Sequence, residues 1–296
     1  MILLQQIQYT HEKYPSERIS SGRAKITTDL LIVLISRIFL CLFNCCFVFY
    51  LPINKPNMAL QPWRTGKVIR IENETSTTRR FWIEVPELST FDFIPGQFVT
   101  LDLPIHEKPN KRWRSYSIAS WPDGTNIYEL VIVLDEKGAG TPYLFNNVIV
   151  GSELTFRGAQ GVFILKEPLD NDIFMVCTGT GIAPFRSMIH HIKNHNIPHK
   201  NIYLVFGCRT KDTILYYNEM TQLQNDVPGF HYIPTLSREQ WEGQTGYVHL
   251  VYQELCKDRK PAIFFLCGWK GMIDEAKKNI VEMGYDKKAI HQEIYG

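Results

Sequence analysis

The sequence predicts a two-domain protein, an antiparallel β-barrel followed by an α/β domain built on a parallel sheet. Three observations carry this. The chain has 296 residues, enough for about two domains at roughly 150 residues each. From residue 61 to 165 it reads as short β-rich runs separated by turn residues. From residue 169 to 296 apolar strands alternate with helical stretches. Evenly spaced short strands suit a closed barrel, and strand–helix alternation suits a parallel sheet with helices on both faces.

In the first domain the expected strands are Lys67–Ile71, Arg79–Val85, Gln97–Leu103, Arg114–Ala119, Tyr128–Leu134 and Glu153–Phe156. Pro95-Gly96 and Asp123-Gly124 mark turns between them, because Gly supplies the positive φ and Pro the fixed φ that turns need. One short helix is expected over Pro142–Asn146. Lys166-Glu167-Pro168 reads as the linker. In the second domain the strands are Ile173–Cys177, Asn201–Phe206, His231–Leu236, Ala262–Cys267 and a final Ile290–Ile294. The helices are Ile182–Asn194, Asn218–Asn225, Val248–Leu255 and Gly271–Met283. Ligands of such sheets sit beyond the carboxyl ends of the strands.

Composition removes several function classes. With 45% hydrophobic and 21% charged residues the chain is an ordinary globular one. Its 32 basic and 30 acidic side chains leave a net charge of +2 without a long basic block, which disfavours a nucleic-acid partner. Seven cysteines fall in no framework spacing, so they read as reduced thiols in a cytoplasmic protein. The sequence has no C-x-x-C pair. It therefore offers no zinc-ribbon or iron–sulfur ligand set, and no metal site is expected.

Residues 1–57 do not match the rest. Leu30–Leu51 is almost wholly apolar, broken by Ser36, Arg37 and Asn44, and is long enough to span a bilayer. It starts too late and runs too long for a signal peptide. Lys13, Arg18, Arg23 and Lys25 precede it, and Lys55, Arg64, Lys67 and Arg70 follow, so the flanking charge sets no orientation. Two readings stay open. Either the segment is translated upstream sequence, with the working protein starting at Met58, or it anchors a cytoplasmic enzyme to a membrane.

Four motifs carry chemistry. Arg114-Ser115-Tyr116-Ser117 lies on a strand, where alternation puts Arg114 and Tyr116 on one face and both serines on the other. A cation, an aromatic ring and a hydroxyl so close together suit a phosphate, a flat ring and a ring nitrogen; taken alone, an ordinary strand is the simpler account of them. In Gly138-Ala139-Gly140-Thr141-Pro142, Thr141 can cap a helix and Pro142 fits its first turn. Backbone N–H groups there can meet a phosphate. Thr178-Gly179-Thr180-Gly181-Ile182-Ala183-Pro184 joins a strand to a helix but is not G-x-G-x-x-G, which argues against an ordinary Rossmann dehydrogenase. Cys267-Gly268-Trp269-Lys270-Gly271 ends a second strand of the same sheet. There Cys267 is either a core thiol or a side chain facing a site.

In this order, with Pro95-Gly96-Gln97-Phe98 ahead of them and Glu293-Ile294-Tyr295 behind, these motifs resemble the ferredoxin–NADP⁺ reductase family from about Gln61 onward. The resemblance implies an FAD-binding barrel followed by an NADP(H)-binding α/β domain. It implies that Tyr116 stacks on the isoalloxazine, that Arg114, Gly140 and Thr141 hold the FAD pyrophosphate, and that Ser117 reaches the flavin N5 region. Gly179, Thr180 and Gly181 would approach the NADP pyrophosphate, with Cys267 against the nicotinamide. Glu293 matches a glutamate used in proton supply, and Tyr295 the aromatic that covers the other flavin face. Plant-type members end at that tyrosine, whereas here Gly296 follows.

The implied reaction moves electrons between NADP(H), a two-electron hydride carrier, and a separate one-electron carrier protein such as ferredoxin or flavodoxin. A flavin exchanges with both. Ser237-Arg238, after strand His231–Leu236, favours NADP, since Arg can pair with a 2′-phosphate; the other reading of Arg238 is a solvated loop charge. No Lys lies between Arg238 and Tyr247 to support it, so NADH stays possible. The alternatives are an NADH-dependent reductase component of a multicomponent oxygenase and a non-catalytic flavoprotein subunit. The sequence lacks the C-x₄-C-x₂-C spacing of a fused plant-type cluster, so any iron–sulfur partner is a separate protein. The pairing of Cys267 with Glu293 argues against a non-catalytic role.

Overall fold

The computed structural model describes residues 61–295. The expectations for residues 1–57, including the apolar run 30–51, and for Gly296 lie outside the described residues. Among those described, no helix is long and apolar enough to cross a membrane.

Six strands form the first sheet: β1 (Arg64–Asn73), β2 (Thr78–Glu84), β3 (Phe98–Asp102), β4 (Trp113–Ser117), β5 (Ile127–Val133) and β6 (Glu153–Gln160). Their order is β4-β3-β6-β1-β2-β5, every ladder antiparallel. The backbone N–H of Ala119, just past β4, donates to the carbonyl of Glu129 on β5 at 2.8 Å and draws the two edge strands together. Alternation buries Phe81, Ile83, Val99, Leu101, Tyr128 and Phe156 in the interior. Each large apolar side chain so buried stabilises by about 1.5–3 kcal/mol. Helix α1 (Gly140–Asn147) lies between β5 and β6.

The second sheet is parallel throughout, in the order β10-β9-β8-β7-β11-β12. Its strands are β7 (Asp172–Thr178), β8 (Ile202–Cys208), β9 (Phe230–Leu236), β10 (Gln244–Thr245), β11 (Ala262–Trp269) and β12 (Ile290–Tyr295). The helices are α2 (Ala183–His195), α3 (Tyr217–Asp226), α4 (Val248–Leu255) and α5 (Lys270–Glu282). Period-two alternation splits each strand between two cores. Met175, Cys177, Leu204, Phe206 and Cys267 pack with α2 and α3, while Phe174, Val176, Val205, Phe264 and Leu266 pack with α4 and α5. The α2 face also takes in Ala119, Val131 and Phe163 of the barrel, so one apolar core runs across both lobes.

The chain steps outward from β7 through β8, β9 and β10, then returns to place β11 and β12 on the other side of β7. The carboxyl ends of β7 and β11 therefore flank the topological switch point, where such sheets bind ligands. Two local expectations need correction. Helix α1 starts at Gly140 and has no side-chain cap, so Thr141 lies inside its first turn. Its hydroxyl accepts from the Asp135 N–H and donates to the Asp135 carbonyl, at 2.8 and 3.0 Å, and so closes the preceding loop. The expected start of the Ile182–Asn194 helix is a separate 3₁₀ turn over Gly179–Ile182, with α2 beginning at Ala183.

Candidate functional site

The switch point is built by close approach of two loops. A Cβ on Gly181 would sit 2.4 Å from the Cys267 carbonyl oxygen, and one on Gly268 would sit 2.6 Å from the Thr178 hydroxyl. Only glycine lets these backbones touch. Gly179 differs: its φ is +54° and a Cβ there would meet nothing within 4 Å. The left-handed backbone, which glycine adopts without strain, thus opens onto free space at the start of a 3₁₀ turn without a side-chain cap. Open N–H groups at such a turn favour an anion.

Four expected residues meet across the lobes. Ser117, at the end of β4, is 3% exposed, and its hydroxyl donates to the Glu293 carboxylate on β12. Glu293 is the register partner of Cys267 on β11, and Tyr295 that of Trp269. The Tyr295 hydroxyl lies beside Ser117 and Cys267 and is buried without a hydrogen-bond partner. Burial raises the Glu293 carboxyl above its ordinary range, against the opposing pull of Ser117. Burial, reinforced by Glu293 and Cys177, also pushes the Cys267 thiol well up. Cys267 is therefore a neutral thiol at pH 7, suited to packing against a flat ring and unsuited to nucleophilic attack.

On the barrel, Arg114 and Gly140 face each other: a Cβ on Gly140 would lie 3.0 Å from the Arg114 side chain. Arg114 Nη1 donates to the carbonyls of Lys111 and Trp113, at 3.0 and 2.8 Å. Its guanidinium has no carboxylate partner among the described residues. A free cation beside an uncapped helix start is a donor set that fits a pyrophosphate. Tyr116 packs against the barrel core. Burial, partly offset by Arg114, raises its hydroxyl to about 12, so the ring is neutral and offers a flat face.

Ser237 and Arg238 follow β9. The Ser237 hydroxyl donates to the Cys208 carbonyl at 3.2 Å, and the Arg238 N–H donates to the Arg209 carbonyl at 3.0 Å. Arg209 was not singled out from the sequence. It directly follows β8, beside Arg238, both are exposed, and among the described residues neither is ion-paired. Only the sheet order, which makes β8 and β9 neighbours, brings the two together. The other feature missed is an ionic cluster between the lobes centred on Glu129 and Arg186. Cys267 is half of each reading offered for it, since it is fully buried in the core and also borders the site. Among the described residues no group of three metal-ligating side chains comes together.

Comparison with known proteins agrees with this geometry. The Oxidoreductase FAD-binding domain family matches residues 65–164, and the Oxidoreductase NAD-binding domain family matches residues 175–278. Ferredoxin--NADP reductase B of Sorangium cellulosum is 31% identical over 240 residues, which cover 78% of this chain and 96% of that protein. The 2-halobenzoate 1,2-dioxygenase electron transfer component of Burkholderia cepacia is 30% identical over 62% of this chain; the match spans about half, 53%, of that relative. A ferredoxin NADP+ reductase from Neisseria gonorrhoeae, solved with bound FAD and NADP, shares the fold with a TM-score of 0.67 and 22% identity, over 78% of this chain and 98% of that one. An FAD-binding lobe ahead of a nucleotide-binding lobe, and a relative matched along nearly its whole length, place this chain in the ferredoxin–NADP reductase family as an oxidoreductase flavoenzyme.

Proposed function

We propose that the chain carries electrons between NADP(H) and a separate one-electron carrier such as ferredoxin or flavodoxin. The observation that carries the reading is the meeting of Ser117 from the barrel with Cys267, Glu293 and Tyr295 from the other lobe. Bound FAD would supply a ring that takes hydride and releases single electrons. Arg114 and the N–H groups of Gly140 and Thr141 would hold its pyrophosphate, and Tyr116 would lie against its ring. Ser117 fixes a hydroxyl where the reacting ring nitrogen would sit, and Glu293 holds that hydroxyl in place. Because burial keeps Glu293 protonated to higher pH than an ordinary carboxyl, it can lend a proton through Ser117. Gly179, Thr180 and Gly181 would bind the nucleotide pyrophosphate, and Cys267 would set the nicotinamide plane. Packing the two lobes over these groups excludes water.

Ser237, Arg238 and the adjacent Arg209 would select the 2′-phosphate, two unpaired guanidinium groups being matched to a dianion. The name of the Burkholderia cepacia relative supports a second reading, the NADH-dependent reductase of an oxygenase, with its iron–sulfur carrier on another chain. Anaerobic mixing of the FAD-loaded protein with NADPH or NADH, then with ferredoxin, flavodoxin and an oxygenase carrier, separates them. Preferential reduction by NADPH and fast transfer to ferredoxin or flavodoxin are expected. Failure of either nucleotide to bleach the flavin would refute both readings.

A further inference from the structure

We propose that Arg186 is a positioning residue for electron transfer: its guanidinium ties the helix behind the nucleotide loop to the barrel segment that carries Ser117. The inference rests on the reading above, that Ser117 lies where the two cofactors meet.

Arg186 sits in the first turn of α2, directly after the Gly179–Ile182 turn, and is 4% exposed. Its Nη1 donates at 2.8 Å to the carbonyl of Ala119, two residues beyond Ser117, and at 3.0 Å to Glu129 of β5. Its Nε donates at 2.7 Å to Glu219 of α3. One side chain therefore joins the nucleotide loop's helix, a second helix of the same lobe and two parts of the barrel.

The partners are arranged to hold this contact. Glu129 is 2% exposed and also accepts from Arg80 of β2 at 2.6 Å and from the Tyr216 hydroxyl at 2.8 Å. A buried carboxylate held by two guanidinium groups and a hydroxyl has one geometry open to it. Tyr216 has a φ of +53°, a left-handed conformation rare for a bulky residue. That conformation lets one residue use both ends across the lobes: its hydroxyl reaches Glu129, while its N–H donates to Glu74 of the barrel at 2.7 Å. Strain of this kind persists where surrounding contacts over-determine it. On the outer side, Trp121 of the barrel stacks on His190 of α2, centroids 3.7 Å apart. The Ala119 carbonyl is the informative acceptor. A bond to the backbone two residues past Ser117 restrains where the segment carrying that serine sits relative to α2. Misplacement of reacting groups by a fraction of an ångström slows a reaction without weakening binding to match.

The test uses the full chain with FAD bound, in wild type, Arg186→Gln, Arg186→Lys and Tyr216→Phe. Anaerobic single-turnover reduction by NADPH gives the limiting rate and the nucleotide dissociation constant separately. Amide hydrogen exchange of the segment 117–121 gives a readout independent of activity. For Arg186→Gln, a limiting rate at least tenfold lower, a dissociation constant within threefold and exchange at least tenfold faster in 117–121 are expected, with β6 unchanged. Arg186→Lys should recover part of the rate, because a Lys ammonium can replace the two bonds of Nη1 but not that of Nε. An unchanged limiting rate, a rate and affinity that fall by the same factor, or Lys behaving no better than Gln would overturn the proposal. If Arg186→Gln does not fold, Tyr216→Phe decides it: a rate about threefold lower supports the proposal and an unchanged rate refutes it. If the wild type is not reduced by either nucleotide, the functional reading fails, and the exchange comparison alone decides whether Arg186 fixes the Ser117 segment.

Discussion

Two glycines two positions apart in the chain, Gly179 and Gly181, should respond to the same substitution in opposite ways. A Cβ on Gly181 would sit 2.4 Å from the Cys267 carbonyl oxygen and 2.8 Å from its carbon, about 1 Å inside ordinary contact. Both obstacles are backbone, so either the 3₁₀ turn or β11 must move. Overpacking of this kind costs about 1–3 kcal/mol, and the double backbone clash points to the upper end. At roughly 2–4 °C per kcal/mol for a chain of this size, Gly181→Ala should lower Tm by about 6–12 °C and weaken nucleotide binding as the loop shifts. At Gly179 the Cβ meets nothing within 4 Å, and the cost is the left-handed φ alone, about 1–2 kcal/mol. Gly179→Ala should therefore lose only about 2–8 °C. Yet it should weaken NADPH at least tenfold, because the space it fills is the space a pyrophosphate would take. Thermal melts of the FAD-loaded protein and NADP⁺ titrations followed by flavin difference spectra measure both quantities. Wild-type affinity in Gly179→Ala would mean that this space is not the nucleotide's. An unchanged Tm in Gly181→Ala would refute the reasoning from loop contact.

Ser117→Val and Cys267→Ala should slow flavin reduction in stopped flow more than they weaken NADPH binding, since both border the place where the rings would meet. Arg238→Ala, and Arg209→Ala with it, should raise KM for NADPH while sparing NADH; a charged hydrogen bond to the 2′-phosphate contributes about 1.5–3 kcal/mol. Tyr295→Ser should tighten NADP⁺ binding and relax the preference for the 2′-phosphate, as titration with both nucleotides would read, because the half-buried ring brings its hydroxyl beside Ser117 and Cys267, where the nicotinamide would have to enter. Burial alone would push the Glu219 carboxyl up, but the bond to His190 and the charge of Arg186 bring it down to about 2. Its folded value lies below its unfolded one, so its stabilisation is complete above about pH 4.5 and is lost as pH falls towards 2. Urea unfolding between pH 5 and 3 should lose about 2 kcal/mol, with a shallower pH dependence in Glu219→Gln.

Most strand positions were legible because a short apolar, β-rich run bounded by turn residues is a local property. Residues 128–134 and 262–267 are such runs, and β5 and β11 form there, buried on both faces. The limits of legibility are physical too. Thr141 has the residue type of a helix cap, but its hydroxyl finds the backbone of Asp135 first, and helix α1 starts one residue before it. Arg186 reads as one more polar residue in an amphipathic helix. Its importance depends on Glu129, 57 positions earlier, and no local spacing encodes that contact. Arg209 joins Arg238 only through the pairing of β8 with β9. Ser117, Cys267 and Glu293 were found together because ordered motifs pointed to them, not because any period in the sequence links residue 117 to residue 293.

That last pairing bears on the proposed site, whose residues come from both lobes. A hydroxyl aimed at a reacting ring is useful only if its height over the nucleotide is fixed, and a barrel strand cannot fix this alone. Glu293 reaches across from the edge strand of the other sheet to hold the Ser117 hydroxyl, and Arg186 holds the backbone two residues further on. The two contacts come from different elements of the nucleotide-binding lobe, one from the edge strand β12 and one from α2, the helix that follows β7. Two anchors separated in this way resist rotation of the lobes about either one. A single contact would permit that rotation. The polar groups at the two anchors are shielded to different degrees: Arg186 is 4% exposed, and Glu293 is half-buried. Removing one partner then leaves the other buried and unpaired, which costs more than the contact contributes when intact. The cost of keeping ionic groups at this seam is repaid in geometry, because an apolar seam of equal area would hold the lobes together without fixing the position of Ser117.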